Sequence, residues 1–289
     1  MSYKSILKTG AFIIAASVIT LAACKKNDSN NNTPALTNAD DNGGYASDAA
    51  KLESTSNDVI SISDEAASSG AANLRTTSVC ATVTNDTAVT PHVLTINFGS
   101  TDCLCADGKY RKGEIIVTYT GHYKDSLSTH TISYDGYYVN DNKVSGSKTV
   151  TNQGTNTSGQ VWYTVAVNDS ITLTTDSVIT WTAHRTRTWL DGYSTVLRSD
   201  DVYSIADQSG YSTLLTRANG HVFTISITSP LTVAQDCDFI EAGTLDISSS
   251  TFTGGDRILN YSYSLGTAGS CDDLAQLTIG SHTYVVTLH

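Results

Sequence analysis

The stretch that decides the fold is VWYTVAV, residues 161–167, in which a bulky apolar side chain occupies every second position. Successive side chains of a β-strand point to opposite faces, so this alternation predicts a strand with one face in a core and the other in water. The same period of two recurs in five further stretches: 94–98, 115–119, 223–227, 259–265 and 284–288. Alternation of this kind is typical of antiparallel sheets.

Turn sequences separate these stretches, and they are rich in glycine: Asp107-Gly108, Asp135-Gly136, Asp191-Gly192, Ser209-Gly210, Asn219-Gly220 and Gly254-Gly255. The pattern predicts about fifteen strands within residues 75–289. No amphipathic helix separates the strands, which argues against a parallel fold built from βαβ units. The fold class we expect is mainly β: an antiparallel β-sandwich-like domain, preceded by a short N-terminal helix and a flexible tether.

A weak internal repeat leaves open whether this domain consists of two similar lobes. The stretch 94–99 is followed by Cys103, and the similar stretch 261–266 is followed by Cys271. Both stretches end in glycine and lead through acidic turn residues to a strand rich in valine. This similarity has two explanations: one hairpin was duplicated, or two unrelated hairpins share the same strand and turn pattern.

Residues 45–70 are predicted to form the short helix. Ala49, Leu52, Val59, Ile60 and Ser63 lie broadly on one face at helical spacing, and Ser47 or Asp48 would cap the start. Ser68, Ser69 and Gly70 would end it. Residues 24–44 are rich in Asn, Asp, Ser and Thr, so they have little to bury and are predicted to be a flexible tether.

The first 23 residues have the properties of a secretory signal. Lys4 and Lys8 precede an apolar run over residues 11–21, and two small residues follow before Cys24. The run is roughly half the length of about 20 residues that a membrane-spanning helix requires. The ending Leu21-Ala22-Ala23-Cys24 resembles the lipobox of bacterial lipoproteins. This resemblance covers residues 1–24 only.

The resemblance implies that the signal peptide is cleaved before Cys24 and that Cys24 carries diacylglyceryl and acyl (palmitate-type) chains, which anchor the protein in a membrane. The implied class is a Gram-negative cell-envelope lipoprotein. Lys25 stands where Asp would favour retention in the inner membrane, which points to the outer membrane. Whether the domain faces the periplasm or the cell surface is left open.

Charge excludes one class of partner. The formal net charge is −11, and it becomes −13 when the predicted signal, which contains two Lys and no acidic residue, is removed. An acidic chain without a basic stripe has no electrostatic reason to bind nucleic acid. The expected partners are the membrane, through the lipid on Cys24, and a glycan or protein ligand. No cofactor is expected.

Five cysteines remain after Cys24, and an exported protein can form disulfides. Their positions around the two similar hairpins suggest that Cys80 pairs with Cys103 or Cys105, and that Cys237 pairs with Cys271. The Cys103-Leu104-Cys105 triplet lacks a second cysteine pair or a histidine cluster, so no metal site is predicted.

The most distinctive stretch for binding lies on the strand predicted around residues 179–189. Trp181, Arg185, Arg187 and Trp189 share one face, and Trp162 on the preceding strand is a further candidate. Tryptophan and arginine on one face could stack on sugar rings or peptide groups. The alternative is that the tryptophans pack beneath a neighbouring element, with the arginine stems over them.

The sequence contains no recognisable catalytic signature, so no catalytic residue is assigned. We therefore expect a non-enzymatic cell-envelope lipoprotein that displays a binding or structural β domain. One alternative is a glycan-binding accessory protein that uses the strip described above. The other is an envelope hydrolase whose Asp residues are dispersed along the chain and meet only in the fold.

The lipid anchor can be tested by metabolic labelling with an alkyne analogue of palmitate in a Gram-negative host. We expect the wild-type chain and a Lys25→Ala control to be labelled, and Cys24→Ala to lose the label because the acylated thiol is gone. Equal labelling of Cys24→Ala and the control would contradict the assignment.

Overall fold

The computed structural model describes residues 42–69, 80–195, 197–262 and 271–288. The predicted signal peptide, the predicted lipidation site Cys24 and the predicted tether up to residue 41 lie outside the described residues. The described part of the chain contains no helix whose length and hydropathy would let it cross a bilayer.

The elements are one helix and fifteen strands. Helix α1 spans Asn42–Ser69, so it begins three residues before the predicted start at residue 45. The strands are β1 Thr82–Asp86, β2 His92–Asn97, β3 Cys103–Leu104, β4 Tyr110–Tyr119, β5 Thr129–Val139, β6 Asn142–Thr155, β7 Val161–Thr172, β8 Val178–Asp191, β9 Val202–Asp207, β10 Thr213–Arg217, β11 Val222–Ala234, β12 Ala242–Ser248, β13 Arg257–Asn260, β14 Leu274–Ile279 and β15 His282–Thr287.

The strands form one continuous antiparallel sheet, not two separate lobes. Its order is β1-β2-β4-β5-β6-β7-β8-β10-β11-β12-β13-β14-β15, so neighbours in the sheet are mostly neighbours in the chain. Short β3 pairs with β4, while β9 pairs with both β8 and β11. Strands β9 and β10 thus lie one after the other between β8 and β11, because β10 pairs with residues 179–182 of β8 and β9 with residues 185–191.

The sheet curves around α1, which lies between its two halves. Strands β2 and β4, near one end of the sheet, pack on the helix, and so do β12, β13 and β14, near the other end. The two halves are the layers of the mainly β, sandwich-like fold. The alternation in residues 161–167 has the predicted result, because Tyr163, Val165 and Val167 are buried on the face that looks toward the core.

Two disulfides fix the ends of the sheet. Cys80 is bonded to Cys103 and Cys237 to Cys271. Of the two partners that the sequence left open for Cys80, the structure therefore has Cys103, and Cys105 is a free, buried thiol.

Close approach of two strands makes Gly113 necessary. Gly113 interrupts the pairing of β4 with β5 at a bulge and has a φ of 82°. A Cβ atom at this position would lie 2.0 Å from the carbonyl oxygen of Gly136. Because this neighbour is backbone, a side chain at position 113 would require the two strands to separate.

We predict that Gly113→Ala destabilises the domain by several kcal/mol, since it combines a backbone clash with a left-handed φ. Gly159→Ala is the matched control, because Gly159 also has a positive φ of 79° but no atom within 4 Å of an added Cβ. Urea unfolding measures both; equal losses would show that the strand contact does not matter.

Candidate functional site

Helix α1 is buried around most of its circumference, and this includes polar side chains. The buried polar residues are Glu53, Ser56, Asn57, Ser63, Asp64 and Glu65. The residues that stay partly or fully exposed include a stripe along one side of the helix, formed by Ser47, Lys51, Ser54, Asp58 and Ser61. A helix that is enclosed in this way must satisfy its polar groups from the surrounding strands, because water cannot reach them.

Acidic side chains of α1 pair with basic side chains of the sheet. Asp48 accepts from Arg217 at 2.6 Å, and Asp58 accepts from Arg111 at 2.8 Å. Further along the helix, Asp64 accepts from Arg198 at 2.9 Å.

Glu53 makes the most buried of these pairs. Its carboxylate accepts from Arg185, whose other terminal nitrogen donates to Asp207 and Thr213. The side chains of Glu53 and Arg185 are 2% and 3% exposed. A pair this deeply buried depends on its full set of hydrogen bonds, because the desolvation of both charges must be offset.

The spacing of the acids explains why cations from several strands are needed. Asp48, Glu53 and Asp58 are five residues apart, and five residues turn about 140° around the axis of an α-helix. The carboxylates therefore leave the helix in different directions. Arg111 reaches them from β4, Arg185 from β8 and Arg217 from the end of β10.

Further hydrogen bonds complete the helix contact. Lys148 on β6 donates to the Ser56 hydroxyl at 3.1 Å and pairs with Asp169 at 3.0 Å. The Gln235 amide donates to the Ser61 hydroxyl at 2.8 Å. Together with the ion pairs, these bonds fix the rotation of α1 and its position along its axis.

Asp58 and Asp107 share one arginine. Nη2 of Arg111 donates to Asp58 at 2.8 Å and to Asp107 at 2.7 Å, and Nη1 donates to Asp107 at 2.8 Å. Lys109 donates to Asp58 at 3.2 Å. Burial would raise the pKa of the Asp58 carboxyl, but Arg111 and Lys109 outweigh burial and hold it well below its usual range.

For Asp64, burial outweighs the effect of the neighbouring cations on the pKa. Burial raises the pKa of its carboxyl to about 6, although Arg198 and Arg187 act against the shift. The second carboxylate on Arg198, that of Asp201, contributes to the rise. Asp64 therefore changes its charge in the mildly acidic range.

A cleft of about 510 Å³ opens beside the partly exposed stripe of α1, and we call it the α1 cleft. Helix residues form one wall, and the ends of β5 and β7 with the segment that follows β11 form the others. Its lining residues are Ala50, Lys51, Ser54, Thr55, Asp58, Asp107, Lys109, Val139, Asn140, Asn142, Ile171, Thr174, Asp238, Phe239, Ile240, Tyr261 and Leu288.

The lining of the α1 cleft is mixed. Val139, Ile171, Ile240 and Tyr261 are buried and contribute apolar surface, while Phe239 is half-buried. Hydroxyl, amide and charged groups converge on the same space. Ligand sites in proteins are concave, of about 300–1,000 Å³, and combine apolar walls with a few polar groups, so the α1 cleft has the size and composition of such a site.

The tryptophan–arginine strip of the sequence analysis is not an exposed surface. Trp181, Arg185, Arg187 and Trp189 do lie on one face of β8, but that face looks toward α1 and each side chain is at most 3% exposed. Arg187 packs over the ring of Tyr203 at 3.7 Å. Trp162 lies on the opposite face of β7, because its neighbour Tyr163 points inward. Trp181 and Trp189 are therefore interior side chains, and Trp162 is not.

The residues of the α1 cleft were not singled out from the sequence. They come from seven separate segments, several of them turns, and no short motif joins them. One signal was present: Lys148, Arg185 and Arg187 occupy inward positions of strands, and inward cations require buried anions as partners. Among the described residues, no three His, Cys, Asp or Glu side chains are grouped to hold a metal ion.

Comparison with known proteins gives no relative from which a function could be transferred. No family model, curated protein or solved structure matches the chain. The geometry of the α1 cleft and the sequence are therefore the basis for the function proposed below.

We predict that Glu53→Gln lowers the free energy of unfolding by about 3 kcal/mol, because it leaves Arg185 buried with less compensation. Asp102→Asn is the control, since the Asp102–Lys112 pair is 40% and 26% exposed and surface pairs contribute at most about 1 kcal/mol. If chemical unfolding shows the two substitutions to be equally mild, the helix is not held by its buried charges.

Asp64 should make the domain less stable as the pH rises. Its folded-state pKa of about 6 exceeds the ordinary value of 3.8, so its contribution to stability is fully present below about pH 4 and is lost as the pH rises through 6. The change amounts to about 3 kcal/mol. Urea unfolding at pH 4, 5, 6 and 7 should show this slope in the wild type and a flatter one in Asp64→Asn; parallel slopes would contradict the assignment.

Proposed function

We propose that this chain is a lipid-anchored cell-envelope protein whose β domain binds a ligand in the α1 cleft without catalysing its conversion. The observation that carries the proposal is the α1 cleft itself, with its apolar walls and converging polar groups. The anchor is supported by the lipobox resemblance around Cys24, and the outer membrane by Lys25. The two disulfides fit an exported protein, since they persist in oxidising compartments.

The position of α1 suits such a role. The helix follows the predicted tether in the chain and is held in the sheet by ion pairs, so a load on the anchor would be transmitted to the whole domain and not to one edge strand. The α1 cleft lies beside the central part of this helix. A ligand bound there would be presented on a domain that is fixed to its membrane attachment.

The hydrolase alternative receives less support from the same site. Asp58 and Asp107 lie close to each other, as a pair of catalytic carboxylates would. A hydrolytic pair needs one carboxyl that keeps its proton to act as general acid. Arg111 donates to both carboxylates and holds the pKa of the Asp58 carboxyl well below its usual range, so Asp58 does not keep the proton that a general acid needs.

Ligand binding in the α1 cleft can be tested by thermal unfolding against a mixed library of sugars, peptides, amino acids and nucleosides. A ligand at 100 times its Kd stabilises the folded state by about 2.7 kcal/mol, or roughly 5–10 °C in Tm for a domain of this size. We expect at least one class to raise the Tm of the wild type.

Ser54→Trp provides the blocking variant, because Ser54 is partly exposed on the wall of the α1 cleft. Leu214→Trp is the matched control on the outer face of the sheet, where Leu214 is 42% exposed. The proposal predicts that Ser54→Trp abolishes the rise in Tm and Leu214→Trp does not. Turnover of any library member, lost in Asp107→Asn, would instead establish the hydrolase.

A further inference from the structure

The charges around the α1 cleft are balanced. Lys51 and Lys109 contribute positive charge, and Asp58, Asp107 and Asp238 contribute negative charge. Buried Arg111, bonded to both Asp58 and Asp107, supplies the third cation. Phosphate and nucleic-acid sites need an excess of cations, and sites for basic ligands need an excess of anions. A ligand that carries no net charge fits this lining best.

Neutral polar groups also line the α1 cleft. Ser54 and Thr174 contribute hydroxyls that form no side-chain hydrogen bond to another described residue. A hydroxyl both donates and accepts, so it matches a ligand group of the same kind.

The two rim amides offer complementary groups. Asn140 uses its side-chain oxygen to accept from the Tyr110 N–H at 2.9 Å, which leaves its NH₂ free of hydrogen bonds to the described residues. Asn142 donates from its side-chain NH₂ to the backbone carbonyl of Asn140 at 2.9 Å. Its side-chain oxygen therefore forms no hydrogen bond to the described residues. One donor and one acceptor thus lie close together in the sequence, as recognition of neighbouring hydroxyls requires.

Phe239 supplies the apolar contact. Its ring is half-buried in the wall of the α1 cleft, and it belongs to the segment tied down by the disulfide of Cys237. The face of an aromatic ring carries partial negative charge and attracts the weakly positive C–H groups of an apolar surface. A pyranose ring presents such a C–H face together with a rim of hydroxyls.

From these features we propose that the α1 cleft binds a neutral oligosaccharide, whose hydroxyls bond to the rim around Asn140, Asn142, Ser54 and Thr174 and whose ring packs on Phe239. The inference depends on the proposed function, because it names the class of ligand for the same cleft. It places glycan recognition beside α1, away from the buried strip of β8.

Isothermal titration calorimetry of the mature chain, which lacks the predicted signal peptide, tests the inference. The probes are four series of neutral oligosaccharides (malto-, cello-, xylo- and manno-), with oligogalacturonate and alanine peptides as acidic and peptide comparisons. We expect at least one neutral series to bind and neither comparison to do so.

Three variants locate the site. Phe239→Ala should weaken binding by about tenfold through loss of the ring contact. Ser54→Ala combined with Thr174→Val removes two hydroxyls without adding volume and should weaken binding by about tenfold. Tyr211→Ala is the matched control, since Tyr211 is an aromatic residue that is 53% exposed, stacked on His184 and not part of the α1 cleft, and it should leave the affinity unchanged.

Phe239→Trp is a second variant, which distinguishes loss of the ring contact from a folding defect in Phe239→Ala. It should keep the binding, and its indole fluorescence should change when the sugar is added. Neutral sugars that bind equally well to all variants, or that do not bind at all, would overturn the inference. Binding of a peptide or oligogalacturonate that Phe239→Ala weakens would overturn the inference and leave the proposed function standing. If no probe or library member binds in the α1 cleft, both fail.

Discussion

The ion pairs between the acidic helix α1 and the basic inner face of the sheet are the constraint on which the rest of the structure depends. Arg111 and Arg185 are almost fully buried, and each finds its carboxylate on the helix. Without α1, Arg111 would keep only Asp107 and Arg185 only Asp207, so each buried cation would lose one of its two carboxylates, and incomplete compensation of a buried charge is destabilising. The sheet and the helix are therefore one folding unit, in which neither part has a satisfied interior alone.

This constraint also creates the candidate site. Because the pairs of Asp48, Glu53 and Asp58 set the rotation of α1, the stripe with Lys51 and Ser54 must face the gap between the ends of β5 and β7 and the segment after β11. The same arginine that holds the helix, Arg111, also binds Asp107 at the cleft wall. The geometry of the α1 cleft is thus set by the contacts that bury the helix, and loops contribute its rim.

Much of the fold could be predicted from the sequence, because a period of two is a local signal. The strands around residues 94–98, 161–167 and 223–227, the antiparallel arrangement and the short helix all follow from spacing and turn residues. The place of the helix could not be predicted in this way. A surface helix with one apolar face and an enclosed helix with buried acids differ in long-range partners, such as Glu53 with Arg185, which are 132 residues apart in the chain. The α1 cleft is built from equally distant segments, so it too required the fold.

The most direct test of this account is residue-resolved hydrogen exchange of the backbone amides under native conditions. If α1 is part of the core, the amides of its central turns, around Leu52 to Asp64, should exchange only through global unfolding and match the protection of β7 and β8. If those amides exchange much faster than the strands, α1 opens independently of the sheet, and the claim that the buried ion pairs make helix and sheet one unit would be wrong.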